Sequence, residues 1–210
     1  MTKVLSTHNL YEKQYITYNF NGIFKEVLGE PSKGGMWILY GKEKNGKTWG
    51  ALLLAKAFKE MGEKILYISG EEGFDKAFQD ACKRAKVPPK AKNFNIAEEM
   101  PLEQIKALLY KRNAPTIVFI DNTSVYVDEF KRNDSLGLRN EFKKILFVFL
   151  SHEKRKEPED RLGREVKKYA KIIIRAVGLQ LQFSARCPGG LLNIDENKAL
   201  LYHGINQKTT

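Results

Sequence analysis

Cysteine and histidine are scarce in this sequence: the thiols are Cys82 and Cys187, and the imidazoles are His8, His152 and His203. Two cysteines without C-x-x-C spacing make no disulfide framework, and three scattered histidines offer no ligand set for structural zinc. A reducing cytoplasm is the expected compartment, the host's if a phage encodes the chain. Long apolar runs are missing too. The longest, residues 145–150, falls far short of the roughly 20 residues that span a bilayer, and the N-terminus has no apolar signal core. A membrane-spanning or secreted protein is therefore not expected. Internal repeats and low-complexity linkers are also absent, which excludes solenoid architectures. Acids are outnumbered: 36 Lys and Arg against 25 Asp and Glu leave a formal charge of +11. Such a surface attracts polyanions, although it also serves plain solubility.

What is present is enough for one substantial core in 210 residues. The chain is organised around residues 36–55: an apolar run, a glycine-bounded loop, and a second apolar run at helical spacing. Gly41, Gly46, Lys47 and Thr48 fill the pattern G-x-x-x-x-G-K-[ST], in which backbone N–H groups wrap phosphate oxygens and a helix N-terminus aims at them. The nucleotide-binding stretch then runs from Gly41 through Lys42, Glu43, Lys44, Asn45, Gly46, Lys47 and Thr48 to Trp49.

Further strands read as short buried apolar runs, each ending in polar chemistry. Residues 64–69 end in Glu71 and Glu72, paired carboxylates placed to face the phosphates. Residues 116–120 end in Asp121, which a buried strand sets beside Thr48 to hold Mg2+ directly or through water. Residues 145–150 end in His152, read as a phosphate-sensing group. Helices are expected at 22–29, 74–86, 101–112 and 136–144, a polar loop at 124–135, and a charged segment at 153–170. That segment carries Lys154, Arg155, Lys156, Arg161 and Arg164, candidates for nucleic-acid phosphates, with a solvated loop as the alternative. Residues 171–177 and 179–185 read as strands, and a last hairpin is expected from 191–194 to 199–203. Residues 1–21 read as an N-terminal arm, docked on a neighbouring subunit or packed on its own domain, 22–204 as the domain, and 205–210 as a frayed tail.

The succession resembles the RecA-like P-loop ATPase family, within it the RadA-like and phage-type RecA-related proteins, most closely at 41–48, 66–72 and 117–121. The resemblance implies an α/β fold with a mostly parallel central sheet flanked by helices and a C-terminal antiparallel hairpin extension. It also implies ATP with Mg2+, a homo-oligomer (ring or filament) with ATP at subunit interfaces, and single-stranded DNA as partner. Residue by residue, it assigns water activation to Glu71, with Glu72 beside it, γ-phosphate sensing to His152, and a finger into the neighbouring subunit's site to Arg186. Spacing alone does not choose between the two glutamates. Ser184 stands where helicase members carry Lys, which weakens a ring-helicase reading. A recombination ATPase with recombination or replication partner proteins leads; a helicase-like or helicase-loading ATPase is second. A small-molecule or nucleotide kinase lacks an Arg-rich lid here, and a non-catalytic nucleotide-gated adaptor does not need so complete a set of catalytic residues.

Overall fold

The computed structural model describes residues 4–204. A short helix α1 (Thr7–Tyr11) and helix α2 (Ile23–Leu28) precede the first strand, β1 (Gly35–Gly41). There follow α3 (Lys47–Glu60), β2 (Ile65–Ser69), α4 (Lys76–Arg84), β3 (Phe94–Ala97), α5 (Leu102–Leu109) and β4 (Ile117–Asp121). The second half holds α6 (Asp134–Glu141), β5 (Leu146–Lys154), β6 (Glu157–Pro158), α7 (Arg161–Tyr169), β7 (Ile172–Val177), β8 (Gln180–Ala185), β9 (Gly190–Asn193) and α8 (Glu196–His203).

The main sheet runs in the order β3-β2-β4-β5-β1-β7-β8-β9. From β3 to β7 every pairing is parallel, and β8 and β9 extend the sheet antiparallel. β1 is buried along its whole length because both faces are covered, as parallel strands require. Trp37 and Leu39 face one core with Phe58 of α3, while Met36, Ile38 and Tyr40 face the other with Leu162 and Val166 of α7. Helix α3 buries Ala51, Leu52, Leu54, Ala55 and Phe58, a one-sided stripe in which small residues let the helix sit close to the strands.

Of the N-terminal arm, Tyr18 and Phe20 are buried against Trp37 and Phe58, held by the Tyr18 N to Pro31 O bond of 2.9 Å. Residues 4–16 lie exposed, and the expected tail at 205–210 falls outside the described residues.

Three sequence expectations need correction. Residues 199–203 are helical, not the second arm of a hairpin: Asp195 caps α8 by accepting from Lys198 N at 3.1 Å, and β9 pairs back onto β8 instead. Residues 124–135 are an anchored segment rather than a loose loop, starting with a 3-10 turn over Thr123–Tyr126 and burying Tyr126 and Phe130 completely. The charged stretch from 153 is ordered as well. β5 continues through Lys154 and turns at Arg155 and Lys156 into β6, and Asp160 then caps α7 by accepting from Gly163 N at 2.7 Å. Both turn residues have positive φ, 54° and 67°, the backbone hand that matches the twist of a two-residue hairpin.

Candidate nucleotide site

The site lies at the carboxyl end of the parallel strands. β1 ends at Gly41, so close to β7 that a Cβ would stand 2.3 Å from the Ala176 carbonyl oxygen. The loop then folds over the sheet end to Gly46, which caps α3 at φ 89°. A Cβ on Gly46 would lie 2.8 Å from Leu179 Cδ2, so conformation and space both demand glycine. The β7–β8 turn braces the loop from outside: Gly178 N donates to Asn45 Oδ1 at 2.6 Å and Leu179 N to Asn45 O at 3.3 Å. The positive end of α3 thus points into a fixed ring of backbone amides.

Lys47 is buried, and its Nζ donates to Lys42 O at 3.1 Å across the loop. Burial pulls its pKa below the usual lysine range, and the carboxylates of Asp121 and Glu71 pull the other way. At the end of β4, Asp121 Oδ2 accepts from the Tyr67 hydroxyl at 2.7 Å and from the Thr48 hydroxyl at 3.3 Å. Burial raises the Asp121 pKa to about 6, against the lowering effect of the Tyr67 bond. Thr48 and Asp121 therefore present two hard oxygen donors side by side. Among the described residues no group of three or more His, Cys, Asp or Glu is placed to hold a metal alone. The donor set fits Mg2+ shared between these two residues and a nucleotide's phosphates.

Beyond β2, the amides of Gly70 and Glu71 both donate to Asp121 O, at 2.6 and 3.3 Å, so the acidic turn is tied to β4. Asn122 is fully buried and orients the groups around Glu71. Its Oδ1 accepts from Ser124 N at 2.8 Å, which fixes the amide orientation and turns Nδ2 toward Glu71 Oε2 and His152 Nε2, the latter at 2.8 Å. His152 Nε2 also lies 3.2 Å from Glu71 Oε1. With Nδ2 locked as a donor, a neutral His152 either accepts from Asn122 or donates to Glu71, but not both through one nitrogen. Burial raises the pKa of Glu72, helped by the negative charges of Asp75 and Glu71.

The cleft between these groups measures about 470 Å3 and is lined by Lys47, Thr48, Trp49, Glu71, Glu72 and His152, with Arg84 on its outer wall. Arg84 stacks over the Trp49 ring, 5.2 Å from its centroid.

Three solved structures share this architecture. The flagellar accessory protein FlaH from Methanocaldococcus jannaschii aligns at a TM-score of 0.62 with 13% identity, covering 87% of this chain and 96% of its own. The KaiC-like protein PH0186 from Pyrococcus horikoshii OT3 gives 0.58 with 17% identity, over 83% and 88% of the two chains. The ATPase domain of a helicase gives 0.52 with 17% identity, over 74% and 79%. The fold is that of the RecA-like P-loop ATPases. No protein-family model and no curated protein matches the chain.

Within this RecA-like core, Lys47, Thr48, Glu71, Glu72, Asp121 and His152 converge at one cleft, although they come from four separate segments. The remaining candidates lie elsewhere. Arg161 Nη2 donates to the Val127 and Phe130 carbonyls, and Arg164 donates to Pro158 O at 3.3 Å and to Glu159 O, so both are engaged in holding local backbone. Lys154, Arg155 and Lys156 stand exposed on the β5–β6 hairpin, Lys154 3.7 Å from Glu159. Arg186 follows β8, whose last residue Ala185 pairs with Ile172, which pairs with Trp37; the P-loop begins at Gly41. Roughly 13 Å of strand separates those two levels, so Arg186 lies at the opposite end of the sheet from Lys47. Asn122, Tyr67 and Arg84 escaped the sequence reading. Asn122 and Tyr67 act through contacts to residues 51 and 54 positions away, and Arg84 read as part of a solvated helix face.

Proposed function

We propose that this chain binds and hydrolyses ATP with Mg2+ and couples hydrolysis to DNA, single-stranded by preference, in recombination or replication. The observation that carries the reading is the meeting of Lys47, Thr48 and Asp121 with the Glu71–Asn122–His152 cluster across one cleft. Loop amides and the α3 N-terminus bind the phosphate chain, and Lys47 places its ammonium against the terminal phosphates. Bound at Thr48 and Asp121, Mg2+ supplies charge neutralisation on the phosphate oxygens. Glu71 takes the proton of the attacking water, and Asn122 holds that carboxylate in place. His152 sits between Glu71 and the β5–β6 hairpin, which bears Lys154, Arg155 and Lys156, so one strand joins the cleft to a basic tip that suits nucleic-acid phosphates.

The test is ATP turnover with and without single-stranded DNA. Stimulation by the strand, together with near-complete loss of turnover in Lys47→Ala, is the expected result. Turnover that ignores DNA of every form removes the coupling, and normal turnover in Lys47→Ala removes the site.

A further inference from the structure

A second concavity, of about 370 Å3, opens at the other end of the sheet, beside the first residue of β1. Its wall carries five cations from separate places in the chain: Arg139 in α6, Lys143 after it, Lys168 at the end of α7, Lys171 before β7, and Arg186 after β8. Among the described residues no acid lines it. Nor, among those residues, does any of the five have a carboxylate partner within 4.0 Å, whereas ten ion pairs form elsewhere.

The five differ in what they offer. Lys171 is half-buried at the back, where its Nζ donates to Ser32 Oγ at 3.0 Å and Gly34 O at 2.8 Å. Its donors are used, so it contributes charge. Burial depresses its pKa, and the Arg186 and Arg139 charges add to that. Arg139 and Lys168 stand in the last turns of α6 and α7, where the negative helix ends accommodate cations. That explains two of the five positions. Lys143, Lys171 and Arg186 occupy no helix end, and like charges gathered in a concavity without acids destabilise the fold unless an anion joins them.

We propose that this pocket binds a compact polyphosphate, either a free one or the phosphate chain of a nucleotide held by a second copy of the chain. A clustered anion of several charges fits a short, enclosed wall better than a single strand, which requires an extended groove with stacking platforms; among the described residues Tyr169 is the only aromatic on this wall.

Inorganic tripolyphosphate is the probe, titrated calorimetrically into the full chain carrying Lys47→Ala to weaken the P-loop. Adding Lys143→Gln and Lys168→Gln, both exposed positions, should lower affinity at least about tenfold, since charge-assisted contacts are the strong ones. Unchanged melting temperatures check that the variants fold, and Lys154→Gln with Lys156→Gln serves as a control for general surface charge. Equal affinity in the pocket variant, an equal loss in the control, or tighter binding of a single-stranded oligonucleotide than of tripolyphosphate overturns the assignment. Sedimentation separates the two sources. Tripolyphosphate binding by monomers identifies a free ligand; ATP-dependent self-association of the unmutated chain, lost in Lys143→Gln/Lys168→Gln, identifies the second copy's nucleotide. The Lys47→Ala background keeps this outcome separate from ATP hydrolysis at the P-loop.

Discussion

At the scale of single residues, the two adjacent glutamates are distinguished by their partners. Glu71 is held by Asn122 and His152, whereas Glu72 has no such pair among the described residues and faces Asp75 and Lys47 electrostatically. Glu71→Gln should therefore leave ATP binding intact and slow turnover on the order of 10²- to 10⁴-fold; a larger drop in Glu72→Gln reverses the assignment. Asn122→Ala should lower kcat roughly 10- to 100-fold with KM for ATP nearly constant, because it misplaces the base without touching the phosphate loop. A rise in KM alone makes Asn122 a binding residue instead. Asp121 gives a pH test. Its folded pKa of about 6 lies above the ordinary 3.8, so the protonated carboxyl stabilises the fold fully below pH 4, and that contribution is lost as pH rises through 6. Asp121→Asn never ionises. It should match the parent in urea melts near pH 4 and exceed it at pH 7.5, by on the order of 2–3 kcal/mol in the nucleotide-free protein, while Mg2+-dependent nucleotide binding weakens. A stability difference that does not change with pH contradicts the burial argument.

At the scale of elements, the basic residues of 153–170 divide by what they touch. Neutralising Lys154, Arg155 and Lys156 together should flatten the log-log salt dependence of single-strand binding by up to roughly two units, at about 0.7 per phosphate contact. Arg161→Ala should leave that slope alone and cost about 1–2 kcal/mol of stability, since it frees the Val127 and Phe130 carbonyls. The reverse pattern exchanges their roles. This division was not legible in the sequence, where all five cations look alike. The strands β1, β2, β4 and β5 were legible because a parallel strand covered on both faces must be a continuous apolar run. The P-loop was legible because its glycines answer to local backbone geometry. Residues 199–203 were misread because a short apolar run has no period to separate strand from helix, and the deciding signal, the Asp195 cap, lies outside it. The hairpin at Arg155 and Lys156 carries no glycine to announce its positive φ. Asn122 could not be singled out at all, since its two orienting partners are set by how β2, β4 and β5 align in the sheet.

At the scale of the whole molecule, the RecA-like core places its cleft at one end of the sheet and Arg186 at the other, so Arg186 cannot reach the phosphates bound by its own Lys47. If Arg186 acts in the reaction it does so across an interface, where a guanidinium on the transferring phosphoryl group is worth on the order of 10³ to 10⁵ in rate. Arg186→Ala should then bind ATP almost normally and hydrolyse it slowly. Glu71→Gln carries the opposite lesion, an intact Arg186 beside a disabled base. Mixing the two slow proteins creates interfaces in which an intact Glu71 from one copy meets an intact Arg186 from the other, and activity should return above the sum of the separate proteins. Specific activity of the unmutated chain should also rise with its concentration, because the cleft is complete only in the assembly. A monomer whose turnover is independent of concentration, with no gain on mixing, restricts Arg186 to its own surface and leaves the cleft to work with the residues of one chain.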